Sequence, residues 1–306
     1  MEKIPFRDKD VPVTPLLHMR GRSISLEGSP LIMGIININD DSFSGDGRLD
    51  PDWALERART LAREGADIID IGAESARTNR APISEKEEIR RLQPVVESFA
   101  SLFTDHPLPP ILSINTWRPG VVETLLPIGG DLLNDMGGLP DDRNARLCAE
   151  HSAALLIMHT IGAPKIPQTH VTYTDIIGTL HDFFEKKIAL ATAAGLPREA
   201  ILLDPGIDFA KQPADNLIIY RHLSRLHDLG RPLLLPISRK SVIGRVLGIR
   251  SPAERDAGTA ACLVAGVLRG AAILRVHNVA MARQAVAAVR GVMGIQSEGF
   301  GFSLSA

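Results

Sequence analysis

The sequence is poor in the features that mark several special classes of protein. Its 306 residues include two cysteines, Cys148 and Cys262. Both sit in helix-period segments beside alanines and leucines, so they read as buried structural thiols rather than a disulfide or half of a metal site. Charge of one sign is also missing: the formal net charge is −2 and the pI about 6.5. That leaves no electrostatic footprint for a nucleic acid. No apolar run approaches the roughly 20 residues of a membrane span. The N-terminal MEKIPFRDKDVP is charged and has no apolar core of the signal-peptide kind. No membrane partner is expected, and a cytoplasmic location is. Zinc-type HExxH, the GxSxG elbow and the GxGxxG and GxxxxGK[ST] phosphate loops are all absent.

What the chain does have is alternation. Eight short apolar runs read as strands: Leu31 to Ile36, Ile68 to Ile71, Ile111 to Ile114, Leu132 to Asn134, Ala154 to Met158, Ile201 to Asp204, Leu233 to Ile237 and Ile273 to Val276. Nearly continuous apolar runs of this length suit parallel strands covered on both faces. Segments with three- and four-residue periodicity lie between them, at 51–65, 85–102, 119–128, 142–152, 174–195, 213–229, 252–269 and 279–293. Ser84 and Ser251 carry helix-start chemistry, and Gly65, Gly195, Gly230 and Gly270 carry helix-end chemistry. Eight such units in series predict an α/β fold, a closed (β/α)8 TIM barrel, in preference to an open sheet. Residues 1–30 are expected to form an N-terminal extension, a hairpin across the barrel bottom. Residues 31–294 form the barrel, and 295–306 a flexible tail.

In such a barrel the site lies where the strands end, and those positions are rich in polar residues. They are Asn37, the stretch Gly72 to Arg77, Asn115, Asn134 with Asp135, His159, Asp204, Ser238 with Arg239 and Lys240, and Arg275 with His277. One polar strand end usually caps a helix or bonds a loop, but eight together weaken that reading. Lys240 follows an apolar strand and suits an anion or a ring carbonyl. Arg275 and His277 are two apart on a strand, so one face presents both to an anion. His222 and His227 read as surface residues of the sixth helix.

The segments MGIININDDSFSGDG (33–47), DIIDIGAESAR (67–77), LNDMGGL (133–139), MHTIGAPK (158–165), LDPGIDFAK (203–211), SRKSVIG (238–244) and RVHNV (275–279) resemble, in order and spacing, the dihydropteroate synthase family. The resemblance spans Leu31 to Val292. It implies a transferase that joins 6-hydroxymethyl-7,8-dihydropterin pyrophosphate to 4-aminobenzoate and releases pyrophosphate, generally as a homodimer. It further implies that Asn115, Asn134, Asp204 and Lys240 hold the pterin. Asn37, Arg275 and His277 would hold the pyrophosphate, with Mg²⁺ on Asn37, and Ala76, Arg77, Phe209 and Ser241 would form the acceptor side. Lys240, Asp204 and Arg275 are the implied catalytic residues, and loops 38–48 and 74–81 would close over the intermediate.

The chain departs from the family pattern at functional positions. The family's S-x-D-T reads Ser113-Ile114-Asn115-Thr116, so an amide replaces a carboxylate that faces the pterin. S-T-R-P-G becomes Ser75-Ala76-Arg77-Thr78-Asn79, and the Thr-Pro of T-P-D-S-F becomes Asn39-Asp40 ahead of Asp41, Ser42 and Phe43. Two functions follow. One is a synthase that tolerates these changes. The other is a diverged pterin-binding paralogue, either inactive as a synthase or acting on another acceptor or a pterin conjugate.

Overall fold

A computed structural model describes residues 16–26, 28–39, 47–75, 81–106 and 108–294. A hairpin of β1 (Leu16–Met19) and β2 (Arg22–Ser25) precedes eight parallel strands: β3 (Leu31–Asn37), β4 (Ile68–Gly72), β5 (Ile111–Asn115), β6 (Leu132–Asp135), β7 (Ala154–Met158), β8 (Ile201–Asp204), β9 (Leu234–Leu235) and β10 (Ile273–Val276). Their spatial order is β8-β7-β6-β5-β4-β3-β10-β9, and a parallel bridge from Leu203 to Leu233 joins the two ends. The fold is the α/β barrel expected. Helices α1 (Pro51–Arg63), α2 (Glu85–Phe99), α3 (Pro119–Leu125), α4 (Arg143–Glu150), α5 (Ile176–Ala193), α6 (Pro213–Arg221), α7 (Ser241–Leu247), α8 (Asp256–Val267) and α9 (Val279–Val292) follow β3 onward.

The two-residue period of a strand sorts its side chains between two cores. Ile32, Ile36, Ile69, Ile71, Leu112, Ile114, Leu133, Leu155, Ile157, Leu203 and Leu274 pack outward with the helices. Met33, Ile68, Ile111, Leu132, Ala154, Leu156, Leu202, Leu234 and Ile273 have the opposite parity and fill the barrel interior at its N-terminal end, where Leu17 and Met19 of the hairpin join them. Arg20 anchors the hairpin: its backbone N–H donates to Ser152 O at 2.6 Å and its Nε to Gly130 O at 2.5 Å. Among the described residues, no helix is long and apolar enough to cross a membrane.

Several boundaries differ from the sequence expectation for local reasons. The seventh strand keeps only Leu234 and Leu235, because Pro236 has no N–H to extend the ladder. Ser251 opens a 3-10 turn, Pro252–Arg255, and α8 begins after it. The sixth helical segment breaks at His222, after which Leu223–Leu229 winds as a 3-10 helix. His227 is buried, contrary to its reading as a surface residue. Its ring packs on Gly270 and its Nε2 lies 3.1 Å from Arg269 O, while His222 is exposed. Ser84 behaves as expected, its Oγ accepting from Glu87 N at 3.2 Å. Helix α7 is additional to the eight helical segments of the sequence expectation, and it starts directly after the SRK of the strand-end segment.

Candidate active site

Moving up the inward parity from the apolar layer, the barrel interior turns polar. Asp70 follows Ile68 on β4, Ser113 follows Ile111, Asn134 follows Leu132 and Arg275 follows Ile273. These four side chains meet at the fully buried Asp70 carboxylate. Ser113 Oγ donates to it at 2.6 Å, Asn134 Nδ2 at 3.2 Å and Arg275 Nε at 2.8 Å. Arg275 Nη2 lies 2.7 Å from the same oxygen, making a charged pair. One register step higher, Asn115 Nδ2 donates to Asp70 at 3.4 Å.

This hub orients the amides above it. Only the N–H side of Asn115 and Asn134 can face a carboxylate, so both amide oxygens point elsewhere. Both are buried and have no hydrogen-bond partner among the described residues. Buried acceptors left without donors cost free energy unless a ligand supplies one. Asp70 also bears on the charge expected to be missing at Asn115: a carboxylate stands one strand away, and the amide is hydrogen-bonded to it.

Beside these oxygens stands Asp204 at the end of β8. Burial pushes its pKa up to about 6, against the pull of the Gly206 N–H and the charges of Lys240, Lys211 and Arg275. Gly206 N donates to Asp204 Oδ1 at 2.7 Å. The position needs glycine twice over, since φ is +68° and a Cβ would lie 2.0 Å from His159 O. The turn that follows brings up Phe209, whose ring centroid is 4.5 Å from Lys240 Nζ. Lys240 also donates to Ile207 O at 3.0 Å. Burial pushes its pKa down, while Asp208 and Asp204 pull it back up.

Lys211, on the same turn, lies 2.9 Å from His159 Nδ1. Burial holds Lys211 at about 7, and burial with the nearby lysine charge takes His159 down to about 3. The imidazole is therefore neutral near neutral pH, where Lys211 is close to the midpoint of its own titration. On the far side, Ser238 and His277 Nδ1 are 3.0 Å apart. A buried charge network closes another wall: Arg118 Nη2 is 2.6 Å from Glu74, Arg118 also pairs with Glu88, and Lys165 lies 3.4 Å from Glu74.

Asn37, Asn115, Asn134, Asp204, Phe209, Lys240, Ser241, Arg275 and His277 all line one cavity of about 590 Å³ at the C-terminal mouth. Ala76 and Arg77 lie outside the described residues, as do Asp41, Ser42 and Phe43. Three polar strand ends do not line the cavity: His159, which follows inward Met158 and meets Lys211, and also Asp135 and Arg239. Asp135 accepts from Gly137 N at 2.7 Å and Asn144 Nδ2 at 2.9 Å, and Arg239 pairs with Asp256 at 2.7 Å. Asp135 and Arg239 likewise follow inward residues, Asn134 and Ser238, so parity alone would have set all three aside. Sequence reasoning missed Asp70, Lys211 and Asp208, and it included Glu74 only within the stretch Gly72 to Arg77, without a role. Asp70 left a signal, a single charge inside the apolar run Ile68 to Ile71. Among the described residues, the one group of three clustered metal-type ligands, His181, Asp182 and Glu185, is on α5 and does not line the cavity.

Residues 33–277 match the pterin-binding enzyme family, which places this barrel among the pterin-binding enzymes. The dihydropteroate synthase of Escherichia coli (strain K12) is 35% identical over 280 residues, covering 90% of this chain and 95% of that protein. The crystal structure of the Yersinia pestis dihydropteroate synthase with a sulfonamide drug complex superposes with a TM-score of 0.84 at 35% identity, over 91% of this chain and 99% of that one. The Xanthomonas albilineans dihydropteroate synthase with 4-aminobenzoic acid gives 0.81 at 33% identity, over 92% and 99%. The chain belongs to the dihydropteroate synthase family and is a transferase.

Proposed function

We propose that this cavity joins 6-hydroxymethyl-7,8-dihydropterin pyrophosphate to 4-aminobenzoate. The observation that carries the reading is the set of acceptors at the cavity floor: the Asp204 carboxylate and the unpartnered oxygens of Asn115 and Asn134. A pterin edge carries an amino group and a ring N–H, donors that such a set would satisfy. Lys240 would donate to a ring acceptor, with Phe209 against its stem and head.

The diphosphate would lie towards Asn37, Arg275 and His277. Asp70 fixes Arg275 and Ser238 fixes His277, so both groups are held in place before charge develops. As the methylene C–O bond breaks, its electron pair leaves with pyrophosphate. The arylamine nitrogen then forms the C–N bond and releases a proton. No side chain need act as a covalent nucleophile.

Mg²⁺ fits this arrangement in a limited way. Asn37 offers one hard amide oxygen on the cavity wall, which suits an ion that arrives on a diphosphate and keeps several waters. Bound there, the ion would neutralise charge on the leaving oxygens. The acceptor side would be built from Phe209, Lys240 and Ser241, with Ala76 and Arg77 contributing from their loop. Exposed Val246 and Leu247 on α7 support a second copy of the chain as partner. A cytoplasmic setting agrees with the absence of a membrane-crossing helix among the described residues.

The test is a pyrophosphate-release assay with and without 4-aminobenzoate, with the pterin product identified by mass. Release that depends on the acceptor and yields dihydropteroate is expected. Tight binding of the pterin pyrophosphate with no condensation product would overturn the synthase reading.

A further inference from the structure

Among the described residues, six lysine and arginine side chains line the cavity. Lys165 is paired with Glu74 and Arg275 with Asp70. The other four, Lys211, Lys240, Arg245 and Arg255, share the cavity with two further carboxylates, Asp204 and Asp208. The excess of positive charge gathers around α7. Arg255 is buried, and its guanidinium donates to four neutral carbonyls: Ile249 O at 3.2 Å, Arg239 O at 2.9 Å, Lys240 O at 3.3 Å and Arg250 O at 2.5 Å. A Cβ at Gly244 would lie 2.6 Å from its Cζ, so the guanidinium packs on α7 beside the root of Arg245. Arg245 itself is exposed, and among the described residues it has no hydrogen-bond or ion-pair partner. It stands one turn after Ser241, on the same helix face. Long helical side chains lean over the preceding turn, which brings this one to the Ser241 side of the cavity. The donors of Ser241 are already taken, since its N–H and Oγ donate to Asp208 Oδ2 at 2.6 and 2.9 Å.

We propose that Arg245 is a specificity-determining residue that pairs with the carboxylate of the arylamine acceptor. The proposal rests on the reading of Phe209, Lys240 and Ser241 as the acceptor side. A carboxylate arriving beside Ser241 finds both donors of that residue held by Asp208, so it needs a donor from elsewhere. The planar guanidinium of Arg245 offers two parallel N–H groups, a fork that matches a carboxylate. Arg255 adds attraction without contact, because its charge has no carboxylate to offset it and falls off slowly in a partly buried wall. Burying a cation without a counter-charge is costly, and an anion held by Arg245 offsets part of that cost. An acceptor lacking the carboxylate gains nothing from either arginine. The simpler roles for Arg245, a solvated surface charge or a contact between two copies of the chain, would not distinguish two acceptors of the same shape.

The test compares 4-aminobenzoate with 4-aminobenzamide on the full chain, using the parent, Arg245→Gln and Arg245→Lys. Glutamine keeps a polar side chain and removes the charge, whereas lysine keeps the charge and loses the fork. The parent should prefer the carboxylate, measured as kcat/KM. That preference should fall about tenfold in Arg245→Gln, the scale of one charged hydrogen bond, and less in Arg245→Lys. The change should enter through KM for 4-aminobenzoate, while the affinity for pterin pyrophosphate holds. An unaltered preference in Arg245→Gln, or equal losses for both acceptors, would overturn the proposal. So would a loss confined to pterin pyrophosphate, which would move Arg245 to the diphosphate. If the parent makes no product from either acceptor, the condensation reading fails. The same preference is then read from dissociation constants, by titrating each acceptor into protein saturated with pterin pyrophosphate. A carboxylate preference that Arg245→Gln removes would still support the pairing, and failure of 4-aminobenzoate to bind the parent would overturn it.

Discussion

The two ends of the barrel interior are built by the same strands with the same parity, yet they differ in every physical respect. At the N-terminal end Met33, Ile68, Ile111, Leu132 and Ile273 meet Leu17 and Met19 in an apolar plug. Two and four residues further along those strands stand Asn37, Asp70, Ser113, Asn115, Asn134, Arg275 and His277. The first set is satisfied by packing alone. The second is satisfied only in part, and its unpartnered oxygens wait for a ligand. Stability is concentrated at one mouth and chemistry at the other, as the architecture generally arranges.

Arg275→Ala should break this separation most severely, because Arg275 serves both functions. It lines the cavity on the side proposed for the diphosphate, and it neutralises a carboxylate with no exposure. Removing one partner of such a pair costs about 3 kcal/mol after allowing for Arg275's partial exposure. Urea denaturation should show that loss, and calorimetry a weaker affinity for pterin pyrophosphate. Adding Asp70→Asn should recover much of the stability and none of the binding. Full affinity in Arg275→Ala would remove this residue from the anion subsite.

Leu17→Ala should act on one end only. It opens a cavity in the plug and should cost about 3 kcal/mol of unfolding free energy, while pterin affinity at the other mouth stays within twofold. A large affinity change would show that the two ends are coupled.

Asp204→Asn should act only at the other end, weakening pterin binding by tens of fold, the scale of one charged hydrogen bond. It should also alter the pH profile. With the Asp204 pKa pushed up to about 6, the accepting carboxylate is lost as pH falls through that value. Parent affinity should be level above it and decline below it. The Asp204→Asn profile should lack that step, and retention of the step would assign it to another group.

Asn115→Asp has the smallest expected effect and the sharpest pH signature. The new carboxyl would stand about 3.4 Å from Asp70, and like charges that close raise the pKa of one of them. A carboxyl whose folded pKa lies above its unfolded value near 3.9 adds no penalty below that value. It destabilises the fold progressively as pH rises towards the raised one. Against the parent, Asn115→Asp should lose about 1–2 kcal/mol by neutral pH, and nothing at pH 3.5 if both proteins remain folded there. Faster condensation with no such loss would show that the amide is a deficit rather than a match for Asp70.

The strands were legible because each run is short, nearly continuously apolar and set off by helix-period segments, and the strand-end residues because a barrel puts them on one rim. Asp70 was hidden by depth. It lies within a strand rather than at its end, and its importance comes from four neighbours supplied by β5, β6 and β10. Lys211 and Asp208 were hidden by turn geometry, since the left-handed residues after Asp204 decide which side chains face the cavity. Helix α7 was hidden because Lys240 both ends the strand segment and stands at the N-cap of the next helix. A parity count would have set aside Asp135, His159 and Arg239.

Strand β9 is only two residues long, and it meets β8 through the bridge between Leu203 and Leu233. Amide hydrogens along such a seam exchange with solvent by local opening, because few backbone bonds must break to free them. The two strands that meet there carry opposite sides of the site: Asp204 ends β8, and Ser238 and Lys240 follow β9. A ligand that bonds Asp204 and Lys240 together would act as a stitch across the seam. On binding, exchange at Leu203 and Leu235 should slow far more than exchange between β4 and β5, where five residue pairs already hold the wall shut.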